Sequence, residues 1–151
     1  MSKHGSEQRI LNDLITKWVS LAREYIADAP DIRAFYLYGS HEREGNSGQI
    51  FADVLFDQAG EVRFKSRIAG GSTEMSRMRN LLRLLTSDLM EATSAFDAAG
   101  IPAPTEYRVY YEPQSGKLDV QLSRKIRFLG NDELTQSDGF RLWLGSRTPE
   151  L

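Results

Sequence analysis

Apolar residues recur at Ile10, Leu11, Leu14, Ile15, Trp18, Val19, Ala22, Tyr25 and Ile26. This i, i+3, i+4, i+7 spacing predicts an amphipathic helix from about Ser6 to Asp28, with one stripe facing a core. The DAPD stretch with Pro30 ends it. The pattern then shortens. RAFYLY (33–38) and QIFADVLF (49–56) are rich in aromatic and β-branched residues, and VRFKSRI (62–68) alternates apolar with polar, so three strands are expected. Asp57-Gln58-Ala59-Gly60 suits a tight hairpin between the last two. The segment Gly39–Gly48, punctuated by Gly, Asn and Ser, reads as a longer polar loop closing a hairpin between the first two.

Helical spacing returns at Met75, Met78, Leu82, Leu85, Leu89, Ala92, Phe96 and Ala99, a single seam predicting a helix from roughly Ser72 to Ala99. The flanking strands favour packing on a sheet over a coiled coil. Ser72 or Thr73 can cap its start, and Ala99-Gly100-Ile101-Pro102 supplies a left-handed stop followed by an apolar residue and Pro. TEYRVYYE (105–112) and KLDVQLS (117–123) form a second hairpin through Pro113-Gln114-Ser115-Gly116. A weak patch at Phe140, Leu142, Trp143 and Leu144 marks the tail. The order α-β-β-β-α-β-β predicts an α+β fold: a five-stranded antiparallel sheet with both helices on one face. The 151 residues suit one domain, 1–151, whose tail, 124–151, either covers the sheet or is partly irregular.

One strand parity should face the helices: Ala34, Tyr36 and Tyr38, then Ile50, Ala52, Val54 and Phe56, Val62, Phe64 and Ile68, Tyr107, Val109 and Tyr111, and Leu118, Val120 and Leu122. The other carries Phe35, Leu37, Phe51 and Leu55, too apolar to be left solvated together. Either the tail around Trp143 or a partner must cover it.

Chemistry is sparse. In YGSHEREGNSGQIFADVLFD, Gly39-Ser40 followed by Asp53 on a strand is similar to the opening of a nucleotidyltransferase site. That reaction needs two carboxylates two residues apart, sharing a metal. Here the second position is Leu55, and Asp57 stands about 13 Å further along an extended strand. His41 has no visible nucleophile or acid beside it, and His4 lies near the terminus. There is no phosphate-binding glycine loop or dinucleotide turn, and Gly70-Gly71-Ser72 reads as a helix approach. With no cysteine, thiolate chemistry and disulfides are excluded. The expectation is a non-enzymatic protein with no catalytic residue, metal or cofactor.

Net charge is −2 with pI ≈ 5.7, which argues against direct nucleic-acid binding. No apolar run is long enough for a membrane span, and MSKHGSEQR lacks a signal-type apolar segment, so a cytoplasmic location is expected. Charge is nonetheless segregated. Glu42–Glu61 holds five acids against one base, and Arg63–Arg83 six bases against one acid. A small acidic surface can imitate phosphate in a basic nuclease cleft.

An amphipathic first helix, the aromatic strand AFYLYGS, the pair FADVLFD and GEVRFKSRI, a Leu-rich helix, a G-I-P link and TEYRVYYEPQSGKLDVQLS follow one another here. Over roughly residues 10–123 this succession resembles the YezG-like family of bacterial immunity proteins. The resemblance implies an antitoxin that binds the C-terminal domain of a cognate secreted or contact-delivered toxin, often a nuclease, and blocks it stoichiometrically. The alternatives are a degenerate nucleotidyltransferase centred on Gly39, Ser40 and Asp53, and a generic regulatory or oligomerising domain; homo-oligomerisation stays open under each. On the immunity reading, the expected partner-binding residues are Glu42 and Glu44 in the first loop, and Asp53, Tyr110, Glu112 and Asp119 on the outer sheet face. Asp132 and Glu133, before the tail, complete the set. The loop and the terminal hairpin are expected at opposite ends of the sheet.

Overall fold

The computed structural model describes residues 3–72 and 74–150. Thr73, one of the two candidate helix caps, lies outside them. The fold is α+β in the expected order. Helix α1 (Lys3–Tyr25) is followed by β1 (Ile32–Glu44), β2 (Ser47–Gln58) and β3 (Glu61–Phe64). Helix α2 (Met75–Ala98), β4 (Glu106–Tyr111), β5 (Leu118–Ser123) and a short α3 (Gly139–Leu144) complete it. The strands form one antiparallel sheet in the order β3-β2-β1-β4-β5. The longest strand therefore stands at the centre, where both neighbours satisfy its backbone.

Helices α1 and α2 bury one sheet face. Trp18 is fully buried, donates Nε1–H to the Leu85 carbonyl at 3.1 Å, and meets Tyr107 edge-on at 6.1 Å between centroids. In α2 the buried residues are Met78, Leu81, Leu85, Leu89, Ala92, Thr93 and Phe96. Leu81 thus takes the place expected of Leu82, and Met75 is 63% exposed. The helix stops as its sequence predicts. Gly100 adopts φ +70°, its N–H reaches the Asp97 carbonyl, and the Ile101 N–H reaches Phe96, a Schellman cap with Ile101 buried behind it.

Two departures matter for function. The segment Gly39–Gly48 is not a loop. β1 and β2 pair residue for residue up to Glu44↔Ser47, and only Gly45 and Asn46 turn, with φ +58° at Gly45. Tertiary contacts hold these polar positions extended. Arg43 makes a bidentate pair with Asp97 of α2 at 2.8 and 3.0 Å, and His41 Nδ1 lies 2.7 Å from Thr93 Oγ1. β3 is also shorter than expected, because Lys65–Arg67 turn into a 3₁₀ segment and Ala69 binds the Gln58 side chain through both its N–H and its carbonyl.

The second departure is that β1 and β3 present the faces opposite to those expected. Phe35 and Leu37 face the helices with Val54 and Phe56, whereas Ala34, Tyr36, Tyr38, Val62 and Phe64 lie on the outer face. Register decides this. Phe35 stands opposite Phe56 and Leu37 opposite Val54, and directly opposed residues share a face. Ile68, past the end of β3, does join the helix-side core, and Leu118 at the start of β5 is exposed.

The tail covers that outer face. Phe140, Trp143 and Leu144 pack on Tyr36, Tyr38 and Leu55, with Phe140 5.4 Å from Tyr38 and Trp143 5.6 Å from Tyr36. Contact is close enough that a Cβ on Gly139 would fall 2.1 Å from the Tyr38 ring. Among the described residues no helix is long and apolar enough to cross a membrane.

Candidate partner-binding surface

The outer face is built from alternate residues of each strand. β1 contributes Tyr36, Tyr38, Ser40 and Glu42, β2 Phe51, Asp53 and Leu55, β4 Glu106, Arg108 and Tyr110, and β5 Asp119 and Gln121. The tail lies over β1 and β2 and leaves the β4–β5 side open, where Asp119 and Gln121 are exposed.

One of the expected acids is buried away from any partner, and a second is mostly covered and ion-paired. Glu42 is 1% exposed, and its carboxylate accepts backbone N–H groups from Arg127 at 2.7 Å, Phe128 at 3.1 Å and Leu129 at 2.8 Å. It ties the incoming tail to the sheet. Asp53 is largely covered, pairs with Lys65 at 3.2 Å and accepts the Val54 N–H at 2.8 Å. Burial pushes its carboxyl above the usual range, while Lys65 pulls the other way. Sequence put Glu42 in an open loop, and its burial by the tail corrects that; Asp53 is on the outer sheet face as expected, with Lys65 over it.

The remaining six fall into two groups. Tyr110, Glu112 and Asp119 gather at the β4–β5 hairpin. The Tyr110 hydroxyl donates to Glu112 Oε2, Ser115 Oγ donates to Oε1 at 2.8 Å, and Lys117 sits 5.9 Å over the Tyr110 ring. Burial, then the bond to Glu112, raises the Tyr110 hydroxyl pKa. The bonds from Tyr110 and Ser115 lower that of Glu112. Glu44, Asp132 and Glu133 are exposed at the other end, beside the β1–β2 turn and the tail segment that Glu42 holds. The expected separation of loop and hairpin therefore holds, and one patch cannot contain both groups.

The residues of the transferase-like stretch have structural employment. A Cβ on Gly39 would lie 2.6 Å from Trp18, so glycine is what lets α1 approach β1. Ser40 accepts from Gln136 Nε2 through both Oγ at 3.0 Å and its carbonyl at 3.1 Å. No cluster of three metal-ligating side chains occurs among the described residues. Gly70 and Gly71 precede α2 by a stretch too long to place them on its first turn.

Sequence reasoning missed a buried polar cluster beneath the tail. Glu106 is 3% exposed; its Oε2 accepts the Tyr38 hydroxyl at 2.5 Å, and its Oε1 stands 3.5 Å from Arg108 Nε and 3.6 Å from Arg127 Nε. Burial, then Glu106, drives the Tyr38 pKa far upward, so the phenol keeps its proton. Alternation in TEYRVYYE does place Glu106, Arg108 and Tyr110 on one face. Arg127, from a segment without periodicity, gave no signal.

A cleft of ≈ 840 Å³ opens between β3 and residues 146–150. Arg63, Arg67 and Arg147 line it together with Asp57, Glu61 and Glu150, so neither sign prevails. No protein-family model matches the chain, and no curated protein matches it.

Proposed function

We propose that this protein is an immunity protein: it binds a cognate bacterial toxin, a nuclease being the favoured class, and neutralises it by occlusion without chemistry of its own. The observation that carries the reading is the open β4–β5 side of the outer face. There a hydrogen-bonded aromatic–acid pair, Tyr110 and Glu112, stands beside exposed Asp119 at the β4–β5 hairpin, with the Tyr110 ring packed against Tyr36. An anchor of this kind is preorganised, so little side-chain entropy is lost on docking. The family resemblance supports the same reading. The transferase alternative draws no support from Gly39, Ser40 and Asp53, whose contacts are with Trp18, Gln136 and Lys65.

The test is co-expression with the protein encoded beside it, scoring toxicity, growth rescue and co-purification. Reversing Glu112 and Asp119 to Lys should slow association and abolish rescue in a folded protein. Reversing Glu44, Asp132 and Glu133 tests the opposite end. If both triple sets leave rescue and association unchanged (Tyr110→Ala joining the first), neither acidic group is the toxin-binding surface. If no neighbouring toxin is bound by the wild type, the immunity reading itself fails.

A further inference from the structure

Arg108 and Arg127 approach a single carboxylate, and their donors are left over. Oε1 of Glu106 lies 3.5 and 3.6 Å from the two Nε atoms, beyond hydrogen-bonding geometry, and Oε2 is already taken by Tyr38. Both Nε atoms are buried without a hydrogen-bond partner. A guanidinium is a five-donor fork, and it never loses its charge to relieve the deficit. A structural need to neutralise Glu106 would be met by one arginine. The second places like charges side by side in a half-buried setting, which costs stability. Orphaned buried donors of this kind call for an acceptor.

The surroundings suit an anion. The pair has two positive charges against one negative, and the Tyr38 phenol stays neutral. The side chains of Arg108 and Arg127 are 18% and 37% exposed, so solvent reaches the pair. Gln121, cross-strand from Arg108, adds an exposed amide there. Asp119 lies two residues before Gln121 on β5, opposite Tyr110 rather than Arg108.

We infer that Arg108 and Arg127 form an oxyanion-binding site, which takes a phosphate group or a carboxylate between their two forks. Fork-to-oxyanion pairing is directional as well as Coulombic, so an ammonium of equal charge replaces it poorly. The inference is independent of the immunity reading and concerns the isolated protein.

Inorganic phosphate and acetate are titrated in parallel against sodium chloride of matched ionic strength, following the thermal midpoint and the arginine Nε–Hε signals. Phosphate or acetate should raise the midpoint saturably and shift the Arg108 and Arg127 signals, and chloride should do neither. Preference between the two anions assigns the ligand to phosphate or to carboxylate chemistry. Arg108→Lys and Arg127→Lys should each weaken the affinity about tenfold or more while keeping the charge. Should a variant fail to fold, the wild-type spectra decide. The inference is wrong if both arginine signals stay still under phosphate and acetate, if the response is matched by chloride, or if both Lys variants bind as the wild type does.

Discussion

At the residue scale, Glu42 shows how burial changes the meaning of a charge. In sequence it belongs to an acidic, polar stretch. In the fold it receives three backbone N–H groups of the tail, donors that an α-helix or strand would otherwise satisfy. Glu42→Ala should cost roughly 3 kcal/mol, because it leaves buried donors without an acceptor, whereas exposed Glu44→Ala should stay within about 0.5 kcal/mol. Urea unfolding of the two variants makes the comparison, and equal midpoints would show that the tail has another anchor. His41 carries a pH dependence. Thr93 Oγ1 donates to the Leu89 carbonyl at 3.2 Å, so it accepts from His41 Nδ1–H. Burial, then the Arg43 charge, lowers the His41 pKa below its ordinary value. The unfolded chain therefore binds the proton more readily, and stability falls as pH drops through the unfolded value of about 6.5. His41→Gln should flatten the stability–pH slope in that window, as measured by denaturant midpoints. An unchanged slope would assign it to other groups.

At the scale of elements, two glycines set how closely the layers approach. Gly39 admits Trp18 of α1, and Gly139 lets α3 sit on Tyr38. Neither has a positive φ, so the requirement is space and not backbone conformation. Gly39→Ala should cost about 1–3 kcal/mol, because the Trp18 ring it meets is fully enclosed. Gly139→Ala should displace α3 instead, giving a red-shifted Trp143 fluorescence with helix content nearly unchanged. A wild-type emission spectrum in that variant would mean that the tail tolerates the added methyl in place. The element boundaries show which signals are local. Helical periodicity and the glycine stop of α2 were readable because i, i+4 spacing and a left-handed cap involve only near neighbours. The extension of β1 to Glu44 was not, because its polar residues are held by Asp97 and Thr93, more than fifty positions away.

At the scale of the whole molecule, α1 and α2 cover one face of the sheet and the tail covers β1 and β2 on the other. Removing residues 124–151 should uncover Tyr36, Tyr38, Leu55 and Val62 and produce a protein that binds hydrophobic dyes and unfolds at a lower temperature. A truncated chain with the full-length midpoint would show that the outer cluster contributes little. Because the cover stops short of β5, the same arrangement leaves open the side where Tyr110, Glu112 and Asp119 stand. The tail shapes both proposals: it covers β1 and β2 but not the β4–β5 side, and it brings Arg127 to Glu106.

Sequence alone determined the element order, the hairpins and the α+β class, since these follow from periodicity and turn chemistry within short windows. It also required that something cover the outer face, because both parities of RAFYLY are apolar. That same ambiguity prevented it from saying which parity faces which layer. Only the pairing of Phe35 with Phe56 and Leu37 with Val54 settles that, and register is a long-range property. The acids divided for the same reason. A carboxylate is equally at home in solvent or under three N–H donors, and its side chain carries no mark of which it will meet. Tertiary structure turned Glu42 and Asp53 into internal supports, left Glu112 and Asp119 at the surface, and brought Arg127 from an unpatterned segment to the side of Arg108.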